Sequence, residues 1–103
     1  MMYIPQTFQA WDNDGNPLSF GYLWTYKSGT DIPLPTFYLV SGTTFSENPW
    51  PIQLDVTGSI NVYLSEDYAP YRFNVTDLNN VQMQDFPEDN ILPGTIQFIT
   101  ANP

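Results

Sequence analysis

Apolar and polar residues alternate in short runs along most of this chain. The clearest case is residues 18–27, where Phe20, Tyr22, Trp24 and Tyr26 share one side of an extended segment and Gly21, Leu23, Thr25 and Lys27 share the other. The bulk of the aromatic row predicts that it faces the core. Ile52, Leu54 and Val56 alternate in the same way, as do Ile60, Val62 and Leu64. Tyr71, Phe73 and Val75 form another inward set, with Arg72, Asn74 and Thr76 facing out. Val81, Met83 and Asp85 against Gln82, Gln84 and Phe86 divide less sharply.

Turn chemistry separates these runs. The 10 prolines and 6 glycines are spread over the whole length, so no apolar stripe of helical period survives for three turns. Strands are expected over residues 6–11, 18–27 and 34–40, followed by the alternating sets above. Asp14-Gly15 supplies the positive-φ positions of a tight hairpin after the first strand. Gly58 ends another strand where positive φ or close approach is required, and Asp55 is placed to accept backbone N–H bonds there. Asp77-Leu78-Asn79-Asn80 closes a further turn with the residue type most tolerant of left-handed backbone after glycine. Asn48-Pro49-Trp50-Pro51 reads as stiff and irregular, and Pro87-Glu88-Asp89-Asn90 as a break before an extended tail in which Ile96 and Phe98 alternate with Gln97 and Ile99. The expected fold is all-β: one small antiparallel sandwich of about seven or eight short strands, Greek-key-like. It occupies residues 1–103 as one domain, with 1–8 and 91–103 as extended terminal segments.

Composition narrows the chemistry. The chain has 3 Trp, 7 Tyr and 7 Phe, enough bulky side chain to close a core without disulfide or metal. It has no cysteine and no histidine, and its only cations are Lys27 and Arg72, so thiolate nucleophiles, the commonest general base and most electrophilic side chains are missing. A non-enzymatic protein without cofactor is the expectation. Asp12, Asp14 and Asn16 alternate as calcium-loop ligands do, but the glycine falls at the fourth position instead of the sixth and no glutamate stands at the twelfth, which favours a polar turn. Glu66-Asp67 and Glu88-Asp89 are adjacent pairs whose side chains point to opposite faces of a strand, so neither makes a catalytic dyad. A formal charge of −9 repels phosphate backbones and anionic headgroups, making nucleic acid and membrane surfaces poor partners. Met1 to Pro5 carries neither a cationic nor an apolar leader pattern.

One ordered set of motifs is more specific. Gly21-Tyr22-Leu23-Trp24-Thr25-Tyr26, then Ser28-Gly29-Thr30, Pro35-Thr36-Phe37-Tyr38, Asn48-Pro49 with Pro51-Ile52-Gln53-Leu54-Asp55-Val56-Thr57-Gly58, and finally Tyr71-Arg72-Phe73-Asn74-Val75-Thr76-Asp77 resembles the N-terminal virion-attachment domain of phage tail fibres and tailspikes. The resemblance covers about residues 17–90. The chain departs from the pattern in the inserted Trp50-Pro51, in Ala69-Pro70 where a glycine usually precedes the Tyr strand, and in Asn79-Asn80 where Asn-Gly is usual. The resemblance implies a non-enzymatic module, made in the host cytoplasm and carried in the virion tail. It implies attachment of a fibre or spike to the tail or to another fibre, within a homo-oligomer, a trimer being favoured. Either an excised domain or a small stand-alone adaptor fits.

The candidate interface residues are Tyr3, Ile4, Trp50, Pro51, Ile91, Leu92, Ile96 and Phe98. The termini carry apolar residues without enough local sequence to bury them, and Trp50 lies between prolines in a loop. An alternative reading is a carbohydrate-binding β-sandwich using Trp11, Trp24 or Trp50 as a sugar platform. A third, an acidic mimic of nucleic acid, has only the charge behind it.

Overall fold

The computed structural model describes residues 3–83 and 86–92, and the segments outside them include the candidate residues Ile96 and Phe98. Eight strands follow in order: β1 (Tyr3–Gln9), β2 (Tyr22–Lys27), β3 (Phe37–Ser41), β4 (Thr44–Glu47), β5 (Ile52–Gln53), β6 (Ser59–Ser65), β7 (Tyr71–Thr76) and β8 (Glu88–Ile91). They make two four-stranded antiparallel sheets, β1-β6-β3-β4 and β5-β2-β7-β8. Only β3 to β4 and β7 to β8 connect within a sheet; every other connection crosses between sheets, so this β-sandwich is laced together along its length. Among the described residues no helix forms.

The inner faces follow from alternation. Tyr71, Phe73 and Val75 are fully buried, as expected for an inward row. Antiparallel pairing sets Leu23 opposite Val75 and Thr25 opposite Phe73, and residues directly opposite share a face. Leu23 and Thr25 therefore point into the core, and Tyr22, Trp24 and Tyr26 stand half-buried on the outer face, which corrects the sequence expectation for this strand. Bulk had suggested the opposite assignment, but the pleat allows only one parity once β7 is fixed. Phe20 lies outside the strand altogether, with φ of 60°.

On the facing sheet Phe8, Val62 and Leu64 are buried, with Leu54, Met83, Phe86 and Ile91 closing the same core. Several other boundaries differ from expectation. The third strand starts at Phe37 instead of residue 34, β4 continues it as a hairpin, and Glu88 to Asn90 form a strand where a break was expected. Val56 points to solvent, and Val81 does so while Met83 and Phe86 both turn inward. Ile91 is fully buried, so this candidate interface residue is a core residue of its own domain.

Three turns are built alike. Asp12, Asp55 and Asp77 each accept backbone N–H bonds through Oδ1 from the residues two and four positions on, at 2.9 and 2.9 Å, 2.9 and 3.0 Å, and 2.8 and 2.9 Å respectively. Each is closed by a fourth residue of positive φ, Gly15, Gly58 or Asn80. A carboxylate that ties down its own turn is structural chemistry, and at Asp12 it accounts for the aspartate as a turn residue. The Asp12 turn closes a short hairpin, as expected around Asp14-Gly15: Trp11 is bridged antiparallel to Pro17 and the Asp12 N–H donates to the Asn16 carbonyl at 2.7 Å, whereas the Asp55 turn is a corner between sheets.

Gly58 is the tightest of these positions. A Cβ there would sit 2.7 Å from the Ala10 carbonyl oxygen and 2.7 Å from the Leu18 nitrogen, whereas one at Gly29, of similar φ, would meet open space. Gly29→Ala should cost about 1 kcal/mol through backbone conformation alone. Gly58→Ala should cost roughly 3 kcal/mol or more, since backbone atoms must also move. Urea unfolding of the two variants reads the difference, and equal losses would refute the steric account.

Tyr71 joins the sheets through its hydroxyl, which accepts from the Ser65 N–H at 3.2 Å and donates to the Pro35 carbonyl at 3.1 Å. Burial pushes the phenol up to about 12, with the Ser65 N–H pulling the other way and Tyr68 adding to the rise. A phenol whose folded value is raised stabilises the fold fully below its ordinary value near 10, and that contribution is lost as pH climbs towards about 12. Tyr71→Phe leaves both partners unpaired and should cost about 1 to 3 kcal/mol in chemical denaturation at neutral pH. The variant should also lose stability less steeply than the parent above pH 10.

Candidate functional site

Two surface features stand out, and both arise from where the sheets end. The first is the outer face of the β1-β6-β3-β4 sheet. Register places Tyr3, Phe37, Phe45 and Tyr63 on that face, and their rings interlock: Tyr3 stacks on Phe45 at 4.3 Å and meets Phe37 edge-on at 4.8 Å, while Phe45 meets Tyr63 at 4.9 Å. Tyr68 lies over Phe37 with centroids 6.4 Å apart. Tyr38, Leu39 and Val40 in the β3–β4 hairpin are 47%, 43% and 53% exposed, although they are successive residues of one strand. No charged residue occurs between Ile32 and Ser46, in a chain whose net charge is −9. Among the strand residues of this outer face, Glu47 carries the one charge.

The four sheet edges are not equivalent. β1 carries Pro5, β8 carries Glu88 and Asp89, and β5 is short, all devices that blunt an edge against further pairing. β4 has none of these until Glu47, its last residue.

The second feature is a groove of about 250 Å³ lined by Pro33, Leu34, Pro35, Glu47, Asn48 and Trp50. It exists because β5 pairs only with Tyr22 and Leu23, leaving the rest of the β2 edge to be covered by loops. The Thr25 carbonyl accepts from the Leu34 N–H at 3.0 Å and from the Trp50 indole N–H at 2.9 Å. Trp24 and Tyr26 meet the Trp50 ring at centroid distances of 5.2 and 5.6 Å, close to perpendicular. One hydrogen bond and two ring contacts thus hold Trp50 in place, and it remains 40% exposed. On the other wall, Asn48 donates through its backbone to the Thr36 carbonyl at 2.8 Å and through its amide to the Thr36 hydroxyl at 3.0 Å.

Beside these aromatics lies an ionic cluster. Arg72 donates to both oxygens of Asp89, at 2.8 and 3.2 Å, and to Asp31 at 3.3 Å. Asp89 also accepts from the Gly29 backbone N–H at 2.7 Å. The bidentate Arg72 bonds, reinforced by the Gly29 N–H, hold the Asp89 carboxyl down at about 2. The phenol of Tyr26 is raised, by desolvation first and then by Asp31, with Arg72 opposing.

The candidate residues do not converge on one surface. Tyr3 belongs to the outer aromatic face, whereas Ile4 is opposite Leu64 and half-buried on the inner side of β1. Trp50 lines the groove, and Pro51 follows it across a cis peptide bond. Leu92 is partly exposed beyond the end of β8. Sequence reasoning missed Tyr38, Leu39 and Val40, which the long uncharged run in an acidic chain could have flagged. It also missed the pairing of Arg72 with Asp89, which no spacing in the sequence announces. No protein-family model matches the chain, and no curated protein or solved structure matches it.

The Arg72 cluster gives a titration test. A carboxylate with a depressed folded value contributes stability above its ordinary value, and that contribution is lost as pH falls through about 2. Carboxyl NMR should find Asp89 titrating at about 2. Arg72→Met should return it towards the ordinary range of about 4, and an unmoved Asp89 would show that Arg72 is not the main cause.

Proposed function

We propose that this chain is a non-enzymatic docking module of the phage virion, attaching a tail fibre or tailspike to the tail or to another fibre through protein–protein contact. One observation carries the docking part: the aromatic outer face of the first sheet, continuous with the exposed Tyr38-Leu39-Val40 hairpin and nearly free of charge. Protein interfaces concentrate aromatic residues at their centre and exclude charge from it, and this face combines both traits in a molecule whose remaining surface is acidic. Among the described residues no strand pairs with the outer edge of β4, which suits strand addition by a partner. The virion part rests on the ordered motifs from Gly21 to Asp77, and a trimeric assembly on the same resemblance.

The carbohydrate reading has the outer tryptophans in its favour, but their arrangement suits it less well. Trp24 and Trp50 stand at 84° to each other and do not offer one flat platform. Their indole N–H groups are bonded to the Thr76 hydroxyl and the Thr25 carbonyl. Trp11 sits apart, in the short hairpin where it is bridged to Pro17.

The test is capture by the tagged full-length chain of fibre and tail proteins encoded beside its gene, followed by mass spectrometry of purified virions. A tail or fibre protein should copurify, and Leu39→Asp should reduce its recovery by about tenfold or more, since a charge would then be buried against the partner. Recovery unaffected by Leu39→Asp, or a monomer that retains no tail component and is absent from virions, would overturn the proposal.

A further inference from the structure

The groove beside Trp50 has a chemistry of its own. Much of its lining is apolar and stiff: two prolines, Leu34 and an indole immobilised by Thr25, Trp24 and Tyr26. Its lining residues include one charged residue, Glu47, and no cation. Elsewhere Arg72 is held by Asp89 and Asp31. A slot that pairs an aromatic ring with a carboxylate suits a side chain with a long apolar stem and a cationic head. The stem can lie along Pro33 and Pro35 while the head meets the ring and the carboxylate. A planar guanidinium can stack on the indole and bond the carboxylate together, which a compact ammonium does less well. The net charge of −9 strengthens the case, because it draws a basic segment towards the molecule and turns an acidic one away.

We infer that the Pro33-Pro35-Trp50-Glu47 groove is a recognition site for an arginine side chain presented by an extended, basic segment of the docking partner. The inference rests on the docking reading and names the chemistry of the partner at one point of contact. The groove adjoins the outer aromatic face through Glu47, which ends β4 and lines the groove as well. A partner strand running along the open β4 edge can therefore place a residue in it.

The test uses the full-length protein and two short probes, N-acetyl-Pro-Arg-Pro-amide and the same peptide with citrulline in place of arginine. Citrulline keeps the shape and the stem and removes the charge. The Trp50 indole N–H resonance and the backbone resonances of Leu34 and Asn48 are followed by NMR. The arginine peptide should shift all three saturably, and the citrulline peptide should bind at least about fivefold more weakly. Glu47→Gln, an exposed position whose change leaves the core untouched, should remove most of that difference without altering citrulline binding. Equal binding of the two peptides, a difference that survives Glu47→Gln, or no shift at about 10 mM peptide would each overturn the assignment. So would a saturable Trp50 shift produced by an oligosaccharide and not by the arginine peptide. Failure here is separable from failure of the docking reading. If virion or fibre association is lost in Leu39→Asp but unchanged in Glu47→Gln, the groove assignment falls and the docking module stands.

Discussion

The pairing of β2 with β7 is the constraint on which the rest of the molecule depends. Tyr71, Phe73 and Val75 are all fully buried, and each is too large and too well packed to be turned outward. That fixes the inner face of β7, and antiparallel register then hands the inner face of β2 to Leu23 and Thr25. Trp24 and Tyr26 have no place left except the outside. Once there, they support Trp50, and the groove follows. Reversing the parity of β2 by a single residue would bury two large amphipathic rings and expose Leu23, so core and surface site share one register.

The two sheets are held at their ends by polar contacts rather than by more hydrophobic area. The Tyr71 hydroxyl reaches Ser65 and Pro35, and three aspartates lock three turns by the same pair of N–H bonds. These contacts matter because most connections cross between sheets, so a corner that loosened would let the layers slide. At Gly58 the backbones of Asp55, Ala10 and Leu18 converge, and only a residue without Cβ fits between them.

The distribution of charge divides the molecule. Asp89 and Arg72 neutralise each other on the second sheet, while the run from Ile32 to Ser46 leaves the β3–β4 hairpin neutral. Successive exposed residues, Tyr38, Leu39 and Val40, leave both sides of the hairpin open. The shortness of β5 leaves the β2 edge to Trp50.

The sequence by itself determined the all-β class, the sandwich, the inward row of β7, and the turns at Asp12, Asp55 and Asp77, because alternation and turn chemistry are local properties read over a few residues. It also determined the scarcity of catalytic side chains. Tertiary structure alone decided which side of β2 is inside, since Phe20, Tyr22, Trp24 and Tyr26 alternate as well as Leu23 and Thr25 do and only the neighbour across the sheet breaks the tie. It decided that Ile91 is core and Tyr3 surface, although both lie near chain ends, because strand pairing and not position in the chain sets burial. It joined Arg72 to Asp89, and Trp50 to Pro33, Pro35 and Glu47, across distances in sequence that no local pattern spans. Those contacts are set by where sheets end and loops cross, which depends on the whole chain at once.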